Sequence, residues 1–370
     1  MKIKTLTTYN VYNYGASLQA YALMTYLSSL GNDVEIINYQ PNYLTRKYDY
    51  KWVNPESSMS RCAVTRVLYR ILKFLQRQTT MGRKRAFDQF NCDYLRTTEC
   101  CYNSFDELNA NPPEADLYIV GSDQIWNVFY EAGRDPAFYL EFVQQGMRAS
   151  YAASFSYLDI DSANMKRISN SLNKFVAISV RERQGLEILS QMGLKGTWVL
   201  DPVFLLPIVE WEHLANIMAP CDRYLLIYDF ERNSDLRDFA CTYAHKKGLK
   251  IYSINDTYPL SYADRNFNNA GPREFVGLIR HCSAFVSNSF HGTAFSILFH
   301  KPVFVFSRHR HKVNSRMESL LGLFELDDCL INSQTCVEKA LERKFDYDKI
   351  ENIKNRELIR SMNFIEKLLS

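Results

Sequence analysis

The sequence predicts an α/β protein of two domains, each a parallel sheet wound with helices, facing one another across a cleft. Three observations predict it. The chain has 370 residues, more than one hydrophobic core ordinarily serves, so two domains of about 150–200 residues are expected. Short apolar runs alternate with amphipathic stretches of helical period from end to end, the pattern of βαβ units. The dipeptide Asp201-Pro202, with Pro207 close behind, interrupts that alternation near its middle. The expected division is residues 1–200, residues 201–346, and a terminal helix, 347–370, that packs back across the first domain.

In the first half, Ile3–Thr7 reads as a strand. Gly15–Leu30 reads as a helix because Leu18, Ala22, Met24, Tyr26, Leu27 and Leu30 recur at helical spacing, and Gly31 stops it. Val34–Asn38 is the next strand, followed by Leu117–Val120, Ser150–Ala153, Phe175–Ser179 and Trp198–Leu200. A second series comprises Tyr224–Tyr228, Lys250–Ile254, Ala284–Ser287 and Pro302–Phe306. Over Tyr347–Leu369, the spacing of Ile350, Ile353, Leu358, Ile359, Met362, Ile365 and Leu368 marks the last helix. No internal repeat is visible.

Hydrophobic residues at 46% and charged residues at 23% exclude a disordered, collagenous or coiled-coil chain. Forty-four Lys+Arg against 41 Asp+Glu give a net charge of +3, which argues against a nucleic-acid partner. The nine cysteines form no CxxC pair and have no histidine at ligand spacing. They read as free thiols in a reducing compartment rather than as a metal site. No apolar run reaches the roughly 18 residues that span a bilayer. The opening MKIKTLTTYN lacks the apolar core of a signal peptide, so a cytoplasmic location is expected. One stretch qualifies that expectation. Arg61, Arg66, Arg70, Lys73, Arg77, Arg83, Lys84 and Arg85 precede Asp88 without an intervening acid, interleaved with Val64, Val67, Leu68, Ile71, Leu72, Phe74 and Leu75. A basic amphipathic helix over 61–85 either packs its apolar face on the domain or rests peripherally on an anionic membrane surface.

In open α/β sheets ligands bind beyond the carboxyl ends of the strands, so the loops that follow strands carry the functional reading. After the first strand, Asn13 is placed to cap a helix, and Gly15 permits close backbone approach at its N-terminus. After Leu117–Val120 comes Gly121-Ser-Asp-Gln-Ile-Trp-Asn127. Trp126 beside Asp123 and Gln124 suits a sugar ring, whose C–H face stacks while its hydroxyls need polar partners. The alternative is Asp123 as a cap and Trp126 buried. After Phe175–Ser179, Arg181 stands at the mouth of a strand, either to fork onto a carboxylate or phosphate or to join a surface salt bridge with Glu182 and Arg183. After Ala284–Ser287, the segment Ser289-Phe290-His291-Gly292-Thr293 opens a helix over Ala294–His300, where a helix N-terminus favours an anion beside His291. After Pro302–Phe306, Ser307-Arg308-His309-Arg310-His311-Lys312 reads as an anion clamp or as a solvated loop. The residues therefore describe a site for two substrates, one small and strongly anionic, the other polar and ring-shaped.

Several of these segments, in this order, resemble the polysaccharide pyruvyl transferase family. The resemblance is carried by Asn13-Tyr-Gly-Ala-Ser-Leu-Gln-Ala-Tyr-Ala-Leu23, Gly121–Asn127, Tyr151-Ala-Ala-Ser-Phe155 and Ile178-Ser-Val-Arg-Glu-Arg183. It continues through Leu200-Asp-Pro-Val-Phe-Leu-Leu206, Gly271-Pro-Arg-Glu-Phe275 and Ser287-Asn-Ser-Phe-His-Gly-Thr-Ala-Phe-Ser296, and spans about residues 1–325. It implies two Rossmann-like domains in the GT-B arrangement. It also implies transfer of the pyruvate moiety of phosphoenolpyruvate, as co-substrate and without a cofactor or metal, onto two hydroxyls of one sugar as a cyclic ketal. The family's catalytic histidine falls on His291 and its donor-binding arginine on Arg181. Ser289, Phe290, Gly292, Thr293, Arg308 and Arg316 complete the expected donor side. Asn13, Tyr14, Gly15, Asp123, Gln124 and Trp126 form the expected acceptor side, with Asp123 orienting or deprotonating the hydroxyl. The implied acceptor is a galactose or N-acetylhexosamine unit of a polysaccharide repeat or its lipid-linked precursor. The chain departs from the family pattern at Ser156, where the block often continues with Gly, and over Tyr43–Asn103, which matches nothing in it. The rival readings are a GT-B glycosyltransferase using a nucleotide sugar and a non-catalytic carbohydrate-binding relative.

Overall fold

The computed structural model describes residues 1–49, 51–53, 60, 62–156, 160–215, 220–255, 259–308, 314–331 and 337–370. Five strands, β1 (Lys2–Leu6), β2 (Asp33–Tyr39), β3 (Thr97–Tyr102), β4 (Leu117–Gly121) and β5 (Met147–Tyr151), form a first sheet in the order β3-β2-β1-β4-β5. Two short strands, β6 (Ser179–Val180) and β7 (Thr197–Trp198), pair with each other, and parallel bridges at Ala149–Ala177 and Ala153–Val180 join them to its edge. The second sheet contains β8 (Tyr224–Tyr228), β9 (Lys250–Ile254), β10 (Arg265–Phe267), β11 (Ala284–Ser287), β12 (Val303–Phe306) and β13 (Leu330–Ile331) in the order β10-β9-β8-β11-β12-β13. Among the described residues, every strand pair is parallel. The central strands are buried on both faces, which is why they appear in the sequence as continuous apolar runs rather than alternating ones.

Strand order reverses between β1 and β4 in the first sheet and between β8 and β11 in the second. The chain leaves the sheet in opposite directions at such a point and opens a crevice beyond the strand ends. The loops after β1, β4, β8 and β11 all border it.

The two halves share one continuous hydrophobic core. Leu18 and Leu23 of the helix Tyr14–Ser29 lie in the same cluster as Trp211, Phe275 and Phe295. Tyr14 stacks on Phe275 with ring centroids 4.3 Å apart, and its hydroxyl donates to the Ala270 carbonyl at 2.8 Å. The terminal helix Tyr347–Leu369 crosses between the halves. Near its start Tyr347 stacks on His300 and Glu351 pairs with it at 3.2 Å. Further along, Ser361 accepts from the Leu200 amide at 2.9 Å and Phe364 meets Tyr151.

Several boundaries differ from the sequence reading. β5 begins at Met147 rather than Ser150, because it pairs with β4 over its full length. Of Phe175–Ser179 only the last residue enters a strand. The helix carrying His291 runs Phe290–Leu298, four residues ahead of expectation. The basic stretch 61–85 is two helices, Ala63–Gln78 and Met81–Tyr94, broken at Thr79-Thr80. Two of its basic residues turn inward: Lys73 donates to the carbonyls of Arg46, Asp49 and Trp52, and Arg83 is fully buried. Arg61 lies outside the described residues. Among the described residues, no helix is long and apolar enough to cross a membrane.

Candidate active site

The helix Phe290–Leu298 starts where β11 ends. Ser289 caps it, accepting from the Gly292 amide at 3.2 Å, and the Thr293 hydroxyl donates back to the Ser289 carbonyl at 3.0 Å. Ser287 steadies the turn by donating to the Tyr228 carbonyl and accepting from the Ser289 amide. His291 thereby sits in the first helical turn with its ring directed at the other half of the molecule. There the imidazole lies against Gly15, where a Cβ would overlap the ring. Gly15 is required by this approach, and Asn13 fixes its backbone by accepting from the Gly15 and Ala16 amides.

From the first half, Arg181 follows β6 and reaches the same place. Its Nη1 donates to Asp201 Oδ2 at 2.7 Å, and Nη2 stands 3.6 Å from Asp123 Oδ1. The guanidinium lies over the Phe290 ring at 4.2 Å, a cation–π contact across the junction. His291 Nε2 lies 3.3 Å from Asp201 Oδ2, an ion-pair approach outside hydrogen-bond geometry. Ser122 also donates to Asp201 Oδ2, at 3.0 Å, while the other carboxylate oxygen accepts from the Val203 amide. Asp201 is thus the hub of the cluster. Burial opposes its charge, but His291 and Arg181 outweigh burial and hold the carboxyl far below the usual carboxylate range. Burial likewise opposes the charge of Arg181, and Asp201, Asp123 and Glu182 raise its pKa regardless.

Arg316, in the helix Ser315–Leu323, enters from the second half. Its Nη1 is 3.9 Å from Asp123 Oδ1, and with the Gln124 amide oxygen turned toward it, that oxygen accepts from both Nη atoms at 2.9 Å. Burial and the neighbouring Arg181 push its pKa down to about 10, so it remains a cation at neutral pH. Ser319 of the same helix donates to Gln184 at 2.6 Å and fixes the helix against the first half.

Arg181, Asp201, His291 and Arg316 are all less than one-tenth exposed. Within this closed setting, Arg181 Nε and Nη2 and His291 Nε2 have no hydrogen-bond acceptor among the described residues. Buried donors of a cation are costly to leave unmet. The two on Arg181 lie beside His291 and a helix N-terminus, an arrangement that can meet the oxygens of a small anion.

The structure brings together His291, Arg181, Asp123, Gln124, Phe290, Gly15 and Arg316. Asp123 adopts the left-handed conformation, φ 64°, which turns its carboxylate toward the two arginines. Arg181 and Glu182 are buried, so the surface ion-pair reading does not hold. Glu182 accepts instead from the Phe155 and Ser156 amides and the Ser154 hydroxyl. Ser156 is itself left-handed, φ 57°, the backbone state that a glycine meets without strain. Two acceptor-side expectations are corrected. Trp126 is fully buried against Tyr139 and Phe155, with its indole N–H donating to the Phe138 carbonyl at 2.9 Å, and offers no face to a sugar. Tyr14 is equally buried in the junction and occupied by Phe275, Ala270 and Arg83. Arg308 stands at the border, paired with Glu231 at 3.2 Å and lying over Phe230 at 5.1 Å. The remainder of its basic loop, His309–Lys312, lies outside the described residues.

The sequence reading missed Asp201, taken as part of a seam, although it too follows a strand end. It also missed Phe230, an aromatic ring 40% exposed after β8, whose amide donates to Asn288 in the loop after β11.

Comparison with known proteins bears on the family and the fold. The sequence model of the family described as polysaccharide pyruvyl transferase matches residues 13–310, well over half of the chain. No curated protein matches. Among solved structures, the S. aureus MnaA–UDP co-structure is 11% identical with a TM-score of 0.52, covering 98% of this chain and 90% of that one. The spinosyn forosaminyltransferase SpnP is 14% identical with a TM-score of 0.50, covering 100% and 99%. At such identity the likeness concerns the fold, two Rossmann-like domains in the GT-B arrangement.

Proposed function

The chain belongs to the polysaccharide pyruvyl transferase family, and on that premise we propose that the cluster at the domain junction binds phosphoenolpyruvate and delivers its pyruvate moiety to two hydroxyls of one sugar. The observation that carries this reading is the set of unmet, buried donors on Arg181 and His291. Phosphoenolpyruvate supplies a carboxylate and a phosphate, and both are acceptors of the charge-assisted kind that these donors require. Arg181 and Arg316 neutralise them, and the first turn of Phe290–Leu298 adds its amides and dipole.

His291 protonates the methylene carbon, which becomes a methyl group while C2 gains oxocarbenium character. One sugar hydroxyl adds to C2, with Asp123 taking its proton, and the C2–O bond to phosphate breaks. The second hydroxyl closes the ketal. Of the two hydroxyl protons, one is balanced by the proton now in the methyl group and the other leaves on phosphate. Asp201 orients both Arg181 and His291, and no metal or organic cofactor is called on. The sugar, a galactose or N-acetylhexosamine unit of a repeat carried on a lipid, meets the site past Phe230, whose exposed ring replaces Trp126 as the stacking surface.

The test is incubation of the enzyme with phosphoenolpyruvate and lipid-linked or free glycan acceptors. Phosphate release should accompany a mass gain equal to phosphoenolpyruvate less phosphoric acid. Consumption of a nucleotide sugar, with no phosphate release from phosphoenolpyruvate, would replace this reading by glycosyl transfer.

A further inference from the structure

The helix Ala63–Gln78 carries an apolar row that the protein leaves uncovered. Val64, Val67, Leu68, Ile71, Leu72 and Leu75 recur at helical spacing, yet each is between 47% and 78% exposed. A surface helix ordinarily turns such a row to the core. Here the opposite side meets the body of the protein: Lys73 is buried among three carbonyls, and Arg77 lies 5.8 Å from the Tyr48 ring. An outward apolar row of this length marks an interaction surface.

Charge indicates what covers it. Arg66 and Arg70, one turn apart, are exposed on the basic side of the helix, with Arg70 next to the edge of the row at Val67 and Phe74, and no acidic residue occurs anywhere from Ser57 to Phe87. A second copy docked through the same face would bring two acid-free basic helices together with no acidic partner for either. An anionic bilayer supplies both complements at once, hydrocarbon for the row and headgroup phosphates for the arginines.

We propose that the outward face of Ala63–Gln78 seats the protein on an anionic lipid surface, with Leu68, Leu72 and their neighbours at the acyl boundary, Arg70 reaching the headgroups from the edge of the row and Arg66 adding charge from the helix's basic side. The proposal stands on this helix alone and does not depend on the transfer reaction.

Co-sedimentation of the full chain tests it, with vesicles of phosphatidylglycerol and phosphatidylethanolamine set against vesicles of phosphatidylcholine. Wild type should bind the anionic vesicles at least ~10-fold more tightly than the neutral ones, and high salt should weaken that binding. The double variants Leu68→Glu/Leu72→Glu and Arg66→Glu/Arg70→Glu should each lose at least ~10-fold in binding. The salt and lipid comparisons use wild type alone, so they decide the matter even if a variant folds poorly. Failure to bind anionic vesicles, equal binding to neutral ones, or unchanged binding by the folded variants would overturn the proposal. So would a wild-type dimer in light scattering that Leu68→Glu/Leu72→Glu splits, because the face would then belong to a second copy.

Discussion

Arg83 and Arg181 are both buried arginines at the junction of the two halves, and they meet very different surroundings. Arg83 donates to the Tyr12 and Ala270 carbonyls and to the Tyr14 hydroxyl, and lies flat over Tyr14 and Phe87 at 4.2 and 4.7 Å. Its groups bind the helix Met81–Tyr94 to the loop after β1 and to the second half. Arg181 faces two carboxylates, stands over one ring, and keeps two buried nitrogens without an acceptor. Burial of a cation therefore does not reveal its role. The difference lies in the partners: Arg83 ends on carbonyls, a hydroxyl and rings and fastens structure, whereas Arg181 is set among carboxylates beside His291, the surroundings in which the proposed function would hold an anion.

The sharpest way to break this contrast is Arg181→Ala. It should lower kcat/KM for phosphoenolpyruvate about 10³-fold, close to 4 kcal/mol of transition-state stabilisation, in a phosphate-release assay. A loss below about tenfold would place the donor's anionic groups elsewhere. Arg83→Met should act on the other axis. Leaving the Tyr12 carbonyl unmet and a cation–π stack undone costs about 2 kcal/mol of stability in urea unfolding, while the Ala270 carbonyl keeps its bond from Tyr14 and the folded protein keeps its turnover. Gly15→Ala comes next, because a methyl group there displaces the His291 ring. A displacement of about 1 Å at a catalytic group costs roughly 10²-fold in rate, so unchanged activity would remove His291 from the chemistry. Trp126→Phe is the mildest. It should cost about 1 kcal/mol through the lost bond to Phe138 and leave the acceptor KM alone; a clear rise in that KM would return the indole to the sugar.

Much of the architecture was legible in the sequence because central parallel strands are buried on both faces and read as unbroken apolar runs. The edges were not. β3 is the segment Thr-Thr-Glu-Cys-Cys-Tyr, half of it exposed, and β10 and β13 are three and two residues long, too polar or too short to leave a periodicity. Within the site, His291, Arg181 and Asp123 could be singled out because each follows a strand end in a doubly wound sheet. Asp201 obeys the same rule, but the adjacent proline made it read as a linker, and its carboxylate meets Arg181 and His291 only through the fold. Arg83 was hidden in a run of basic residues whose one-dimensional pattern does not say which of them turn inward. Tyr14 and Trp126 show the converse: an aromatic residue in a polar loop looks available to a ligand until its neighbours in space are known.

In the proposed function, Arg181 and its buried neighbours receive the anionic donor. The most direct measurement is a thermal-shift titration with phosphoenolpyruvate on wild type, Arg83→Met and Arg181→Ala. At a hundredfold excess over its dissociation constant, a ligand that binds the native state alone adds about 2.7 kcal/mol of stability. That gain is expected in wild type and in Arg83→Met, despite the latter's lower starting stability, and not in Arg181→Ala. A full shift in Arg181→Ala, or a shift in wild type with a nucleoside diphosphate and none with phosphoenolpyruvate, would contradict it.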